Sequence, residues 1–311
     1  MGYESYEHCE LCPRRCKARR ADGAAGFCGE SATVRVARSA LHFWEEPPIS
    51  GERGSGAIFF CGCPLRCVFC QNHEISQGGA GREVSVGRLA AMMLELQGQR
   101  ALNINLVTPL HFAPAVREAV LLGREHGLTL PVVCNTSGYE RAQTVAAMAD
   151  VVDVWLTDYK YASSELAREL SAAPDYPEEA HAALAVMLES VRAAGGRKVD
   201  DEGAMQRGII VRHLVLPDHV DDSLSVLGRV WELCGNEVDL SVMNQYTPNE
   251  ACRLAGGSLA RSLDGDEYET VLDYADALGF EYLWWQQGGT VSESFVPAFD
   301  TTGVVGPEIA R

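Results

Sequence analysis

From residue 57 onward, short apolar runs alternate with stretches of helical periodicity. The run 57–62 predicts a first strand, and Leu89, Met92, Met93 and Leu96 then recur at the spacing of a helix with one buried face. Residues 102–107 alternate apolar and polar with period two, and Val116, Ala119, Val120 and Gly123 mark the next helical face. Residues 131–134 with a helix over 139–149, and 151–157 with helices within 163–194, extend the series. The apolar run 208–216 is followed by a helix with Leu224, Leu227, Trp231 and Cys234, and the run 238–243 by one with Tyr268, Val271, Leu272, Ala275 and Leu278. A last short strand at 282–285 extends the sheet. Strand and helix in strict alternation predict an α/β fold, a partial (β/α)6 TIM-like barrel of parallel strands. Residues 1–56 are turn-rich and lack this rhythm, so the one expected boundary separates 1–56 from a barrel domain, 57–311.

Charge narrows the partners. Lys and Arg total 26 against 43 Asp and Glu, a net charge of −17, which repels nucleic-acid phosphates and anionic membrane surfaces. No apolar run is long enough to span a bilayer and no signal-peptide core is evident, so the expected location is cytoplasmic. In that compartment the 11 cysteines read as metal ligands and free thiols, not as a disulfide framework. Cys134, Cys234 and Cys252 read as packing residues.

Cys63, Cys67 and Cys70 form a C-x3-C-x2-C group directly after the first strand. A cubane [4Fe-4S] cluster held by three thiolates has one iron without a protein ligand, which an amine and a carboxylate on one small molecule can chelate. S-adenosylmethionine is such a molecule, and an electron passed through the cluster can split its sulfonium bond to give a 5'-deoxyadenosyl radical. A zinc ribbon needs two cysteine knuckles and a ferredoxin run needs a fourth nearby cysteine, and the loop offers neither. Cys61 is either a spare thiol on the same side as Cys63 or a small buried residue.

In barrels of this kind the chemistry lies at the C-terminal ends of the strands. Those ends read Thr108-Pro109, Asn135-Thr136-Ser137-Gly138, Thr157-Asp158-Tyr159-Lys160, Arg212-His213 and Asn244-Gln245-Tyr246. With the triad spacing and an aromatic, Phe69, before the last cysteine, the chain resembles the radical SAM superfamily. Within it the chain is similar to the relatives of the pyruvate formate-lyase activating enzyme, in a branch with an N-terminal four-cysteine segment. The likeness runs through CELCPRRC, LHFWEEPPISG, RGSGAIFF, NINLVTP, NTSGY, TDYKY, RHLVLP and MNQYTP.

The resemblance implies a [4Fe-4S] cluster on Cys63, Cys67 and Cys70 and S-adenosylmethionine held by Phe69, Thr108, Asn135, Ser137, Asp158, Lys160 and Arg212. It implies that Asp158 and Lys160 also place the substrate, and that Arg212 faces the methionine carboxylate through paired hydrogen bonds. His213 is either a catalytic donor or a structural histidine pointing outward beside an inward Arg212. His42, His73 and His111 are read as structural. Two departures stand out. Asn135 replaces the aspartate of the family's turn, weakening the case for a cation there, and Val107-Thr108-Pro109 stands where a Gly-Gly-Glu usually holds the methionine amine.

Cys9, Cys12, Cys16 and Cys28 converge on a second metal site if residues 23–26 turn back, and the spacing leaves zinc and an iron-sulfur cluster both open. Arg14, Arg15, Lys17, Arg19 and Arg20 read as a solvated loop or as a docking patch for a low-potential donor such as flavodoxin or ferredoxin. The expected activity is hydrogen abstraction from a protein or peptide substrate, by the resemblance a glycyl radical enzyme. The rivals are the same radical chemistry on a small molecule or another peptide, and an iron-sulfur electron carrier that does not cleave the nucleotide.

Overall fold

A computed structural model describes residues 2–286 and 296–310. Among the described residues there are ten strands: β1 (Val34–His42), β2 (Ser55–Phe60), β3 (Arg82–Val84), β4 (Ile104–Val107), β5 (Val132–Thr136), β6 (Val154–Asp158), β7 (Lys198–Val199), β8 (Met205–Leu214), β9 (Asp239–Met243) and β10 (Leu283–Trp285). The main sheet runs β10-β9-β8-β6-β5-β4-β2-β1-β3, and β7 pairs with β8. From β2 through β10 along this order every pair is parallel, whereas β1 lies antiparallel to both β2 and β3. With β10 at one end and β3 at the other, the sheet stays open, as a partial barrel does.

Strands buried on both faces explain the near-continuous apolar runs. Every residue of β2 and β4 is buried, as parallel strands covered by helices require. The helices Val86–Gly98, Ala113–Glu125, Ala142–Met148, Tyr176–Ala193, Val220–Cys234 and Gly265–Leu278 form the connections, and the first two and last two present the apolar faces read from their spacing. Residues 1–56, which lack the βα rhythm, nonetheless supply β1 to the sheet, in register from Val36 opposite Phe60 to His42 opposite Ser55. Its edge is covered in turn: Thr301 N–H donates to Ala37 O and Ser39 N–H to Thr302 O, while Phe299 packs edge-on to Phe59 at 5.6 Å. Among the described residues no helix is long and apolar enough to cross a membrane.

Candidate active site

The loop after β2 carries the three cysteines and is pinned from two sides. Arg66 N–H donates to Ser171 O and Val68 N–H to Leu170 O, both at the end of the helix Ser164–Ser171, whose start is capped by the Ser163 hydroxyl. From the other side Cys63 N–H donates to Cys28 O, and Gly62 (φ +80°) passes so close to this segment that a Cβ would stand 2.7 Å from the same carbonyl.

Cys63, Cys67 and Cys70 face a cavity of about 250 Å³ at the C-terminal ends of the strands. Burial pushes the thiols of Cys63 and Cys67 up, and the Lys160 ammonium opposes the rise at Cys67. The Cys67 sulfur accepts from Ser171 Oγ at 3.0 Å, which is 2.7 Å from the Tyr161 hydroxyl, and Cys70 Sγ lies 3.4 Å from Ser76 Oγ. Among the described residues no three Cys, His, Asp or Glu side chains close on a single ion.

Phe69, Thr108, Asn135, Ser137, Asp158, Lys160 and Arg212 line the same cavity. Arg212 is its hub: Nε donates to Asp158 Oδ1 at 3.0 Å, Nη1 to Glu45 Oε2 at 3.2 Å and Nη2 to Asn135 Oδ1 at 2.6 Å. Lys160 Nζ donates to the other oxygen of Asp158. Burial works to raise the Asp158 carboxyl, but Lys160 and Arg212 together hold it below the usual carboxylate range. Three of the five guanidinium N–H groups are thus committed, and two remain for a ligand.

Asn135 serves as a connector, its Nδ2 donating to Glu45 Oε1 at 3.1 Å beside Asn105 Nδ2 at 3.0 Å. Ser137 Oγ is buried with no partner within the protein, an unmet hydroxyl of the kind a cofactor's polar group satisfies. Gly138 (φ +78°) permits the turn, since a Cβ there would stand 2.1 Å from Asp158 O. Thr108 holds a left-handed backbone (φ +59°) with its N–H on Asn135 O, and Phe69 packs edge-on to Tyr246 at 6.1 Å.

Glu45 is the residue that sequence reasoning missed. It sits in LHFWEEPPISG, and the signal was present as two adjacent acids between aromatic residues and a proline pair. It brings a carboxylate to the cavity from the segment after β1, while Thr108 occupies the end of β4.

His213 is not among the cavity residues. It neighbours Arg212 on β8 and so points to the other face, where its Nδ1 lies 2.8 Å from Tyr159 O and burial depresses its pKa to about 4. Cys61 also lies off the cavity, buried, with its thiol on Ala80 O, and Cys134, Cys234 and Cys252 are buried. His111 is buried with Nε2 2.8 Å from Cys61 O, whereas His42 packs on Phe59 and borders the cavity.

At the N-terminus, Gly23 adopts a left-handed turn and the chain folds back, leaving a Cβ at Gly26 3.4 Å from Cys16 Sγ and 3.5 Å from Cys28 Sγ. Cys9, Cys12 and Cys28 are buried and Cys16 exposed. Burial pushes the Cys12 thiol up to about 12. The basic residues here are mostly engaged within the protein. Arg20 is buried, donating to His111 O at 2.5 Å and Cys9 Sγ at 3.5 Å; Arg14 donates to Pro64 O and stacks on Phe27; Arg15 and Arg19 pair with Glu179 and Asp22. Arg14 and Arg20 are therefore unavailable as a docking patch.

Residues 57–202 match the family model of the radical SAM superfamily. Over 90% of its length the chain is 26% identical to an uncharacterized protein of Methanocaldococcus jannaschii, MJ0674, covering 77% of it. Among solved structures it resembles a radical SAM methyltransferase from Sphaerobacter thermophilus (TM-score 0.51, 14% identity, 75% of this chain and 67% of that one). It also resembles Streptococcus suis SuiB bound to its precursor peptide SuiA (TM-score 0.50, 12% identity, 72% of this chain) and spans 46% of the SuiB chain. The likeness over residues 57–202 is thus to the radical SAM superfamily, whose enzymes use a [4Fe-4S] cluster and S-adenosylmethionine.

Proposed function

We propose that Cys63, Cys67 and Cys70 ligate the [4Fe-4S] cluster and that the cavity beside them holds S-adenosylmethionine over a protein or peptide substrate. The carrying observation is the convergence of three thiols, a five-membered network of Glu45, Asn135, Asp158, Lys160 and Arg212, and the unpartnered Ser137 hydroxyl on one cavity. When bound, cluster and nucleotide supply a 5'-deoxyadenosyl radical, with an electron from a donor such as flavodoxin or ferredoxin, and that radical takes a hydrogen atom from a substrate carbon.

The chain's own residues bind and shield. The two uncommitted N–H groups of Arg212 receive the methionine carboxylate as a parallel pair. Glu45 supplies the negative charge that Thr108 does not, facing the methionine amine, and Ser137 takes a ribose hydroxyl. Asp158 and Lys160, locked to each other, set the substrate carbon against the nucleotide. The apolar walls Phe59, Phe60 and Phe69 keep water from the reacting atoms. On the same fold SuiB holds a peptide, in keeping with a peptidic substrate. The match of Asp158 and Lys160 to activating enzymes supports a glycyl radical enzyme as the partner. Residues 163–205, where a lysine-lined anionic pocket would favour a small-molecule substrate, contain one lysine, the exposed Lys198.

The four N-terminal cysteines are proposed as a second metal site. Zinc and an iron-sulfur cluster both suit four such thiols.

The test is anaerobic reconstitution followed by electron paramagnetic resonance with and without S-adenosylmethionine, and chromatography for 5'-deoxyadenosine after dithionite. The nucleotide should shift the reduced-cluster spectrum and be cleaved, and Cys67→Ala should abolish both. An unshifted spectrum with an intact cluster would overturn the proposal.

A further inference from the structure

A second chamber of about 290 Å³ adjoins the cavity and shares Trp44, Glu45 and Arg212 with it. Nothing in the cofactor reading uses this space. Its other walls include Glu46, Trp284 and Trp285.

Two independent features mark it as a binding site. Glu46 Oε2 is buried and meets no hydrogen-bond donor: the Ser241 hydroxyl and the Glu46 N–H hold the carboxyl elsewhere, and the Arg212 guanidinium, whose bonds go to Asp158, Glu45 and Asn135, opposes the rise that burial imposes on the carboxyl's pKa. Aromatic faces are the second feature. Trp284 is held rigidly, its indole N–H on Asp239 Oδ2 at 3.0 Å, with Asp239 gripped by Arg197 through bonds of 2.6 and 3.1 Å. Trp44, which lines both spaces, forms the rim and is 52% exposed.

We infer that this chamber recognises an alkylammonium group carried by the substrate, with Glu46 as its counterion and the tryptophans as its cation–π walls. A carboxylate in an aromatic enclosure selects cations, because a neutral or anionic group would leave it unpaired. The geometry favours ammonium over guanidinium: one open carboxylate oxygen matches a point donor, whereas a guanidinium fork takes two acceptors side by side. The inference rests on the proposed function for where the substrate lies, and it names that substrate's class as amine-bearing, a lysine side chain being the peptidic form.

Isothermal titration calorimetry on the reconstituted protein, with S-adenosylmethionine and no reductant, tests it with Nα-acetyl-L-lysine methylamide and its neutral isostere Nα-acetyl-L-norleucine methylamide. The lysine probe should bind at least tenfold more tightly. Glu46→Gln should erase that preference while leaving the affinity for S-adenosylmethionine within about twofold, and Trp44→Ala, on the exposed rim, should reduce it several-fold. Equal affinities for the two probes overturn the inference. So does an unchanged preference in Glu46→Gln, or a loss of nucleotide affinity as large as the lost lysine preference, which would assign Glu46 to the cofactor. If Glu46→Gln fails to fold by circular dichroism, Trp44→Ala decides: an undiminished preference overturns the inference. Because no electron is supplied, probe binding is read independently of cleavage. Protein that prefers lysine but yields no 5'-deoxyadenosine sinks only the proposed function, and protein that cleaves but shows no preference sinks only this inference.

Discussion

A single hydroxyl sets the electrostatics of the cluster loop. Ser171 Oγ donates to Cys67 Sγ, and hydrogen bonds to a ligand sulfur stabilise the more negative, reduced cluster. Ser171→Ala should therefore lower the midpoint potential by tens of millivolts, read by redox titration followed by electron paramagnetic resonance; an unchanged potential would remove Ser171 from this role. Glu45 and Arg212 are 10% and 14% exposed, and breaking a pair buried to this degree costs about 3 kcal/mol. Glu45→Ala should lose stability of that order in urea denaturation, and bind S-adenosylmethionine more weakly.

His213 contributes one share of the pH dependence at the acid end. Its folded pKa of about 4 lies below the ordinary value, because burial and the nearby Lys160 disfavour the imidazolium. Between about pH 6.5 and 4 the unfolded chain takes up a proton that the folded chain does not, so stability is present above that window and lost as the pH falls through it. A depression of this size is worth roughly 3 kcal/mol, and His213→Gln should flatten the acid limb of the stability curve by about that amount.

Elements bring together what the chain keeps apart, and here the sequence was legible to very different degrees. The parallel strands and the main connecting helices were readable because burial on both faces leaves long apolar runs and amphipathic spacing. β1 was not anticipated, since Val34–His42 lies in a turn-rich context and carries Arg35, Arg38 and Ser39 among its apolar residues. β3 and β7 are too short to show a period. Of the site, the triad and the residues after β4, β5 and β6 were legible because a barrel gathers its strand ends, and Arg212 because its side chain points inward. Glu45 was not, for it comes from a segment outside the βα units, and periodicity says nothing about where such a segment folds. The turn after β5 shows how tightly these elements constrain one another. Gly138→Ala puts a methyl group against the Asp158 carbonyl at a left-handed position. It should cost at least about 1–3 kcal/mol in denaturant unfolding and displace the Asp158–Lys160 pair, visible as weaker nucleotide binding.

At the scale of the whole molecule, charge governs encounter. A surface at −17 repels flavodoxins and ferredoxins, which are themselves acidic, and the N-terminal arginines are mostly spent on internal contacts. Reduction of the cluster by an acidic flavodoxin should therefore accelerate with added salt, measured by stopped-flow absorbance; a rate that falls with salt would reveal a local basic landing site.

The amino-terminal segment is fastened by groups far along the chain: Thr144 Oγ1 donates to Leu11 O, Arg141 to Glu10 O, and Arg14 to Ala172 O. During translation the three of its thiols that end up buried, Cys9, Cys12 and Cys28, thus leave the ribosome on the order of ten seconds before residue 172 exists to complete their shelter. A cell making this protein in air has to guard those sulfurs through that interval, so oxygen exposure during synthesis, more than after it, will decide how much of the yield is intact.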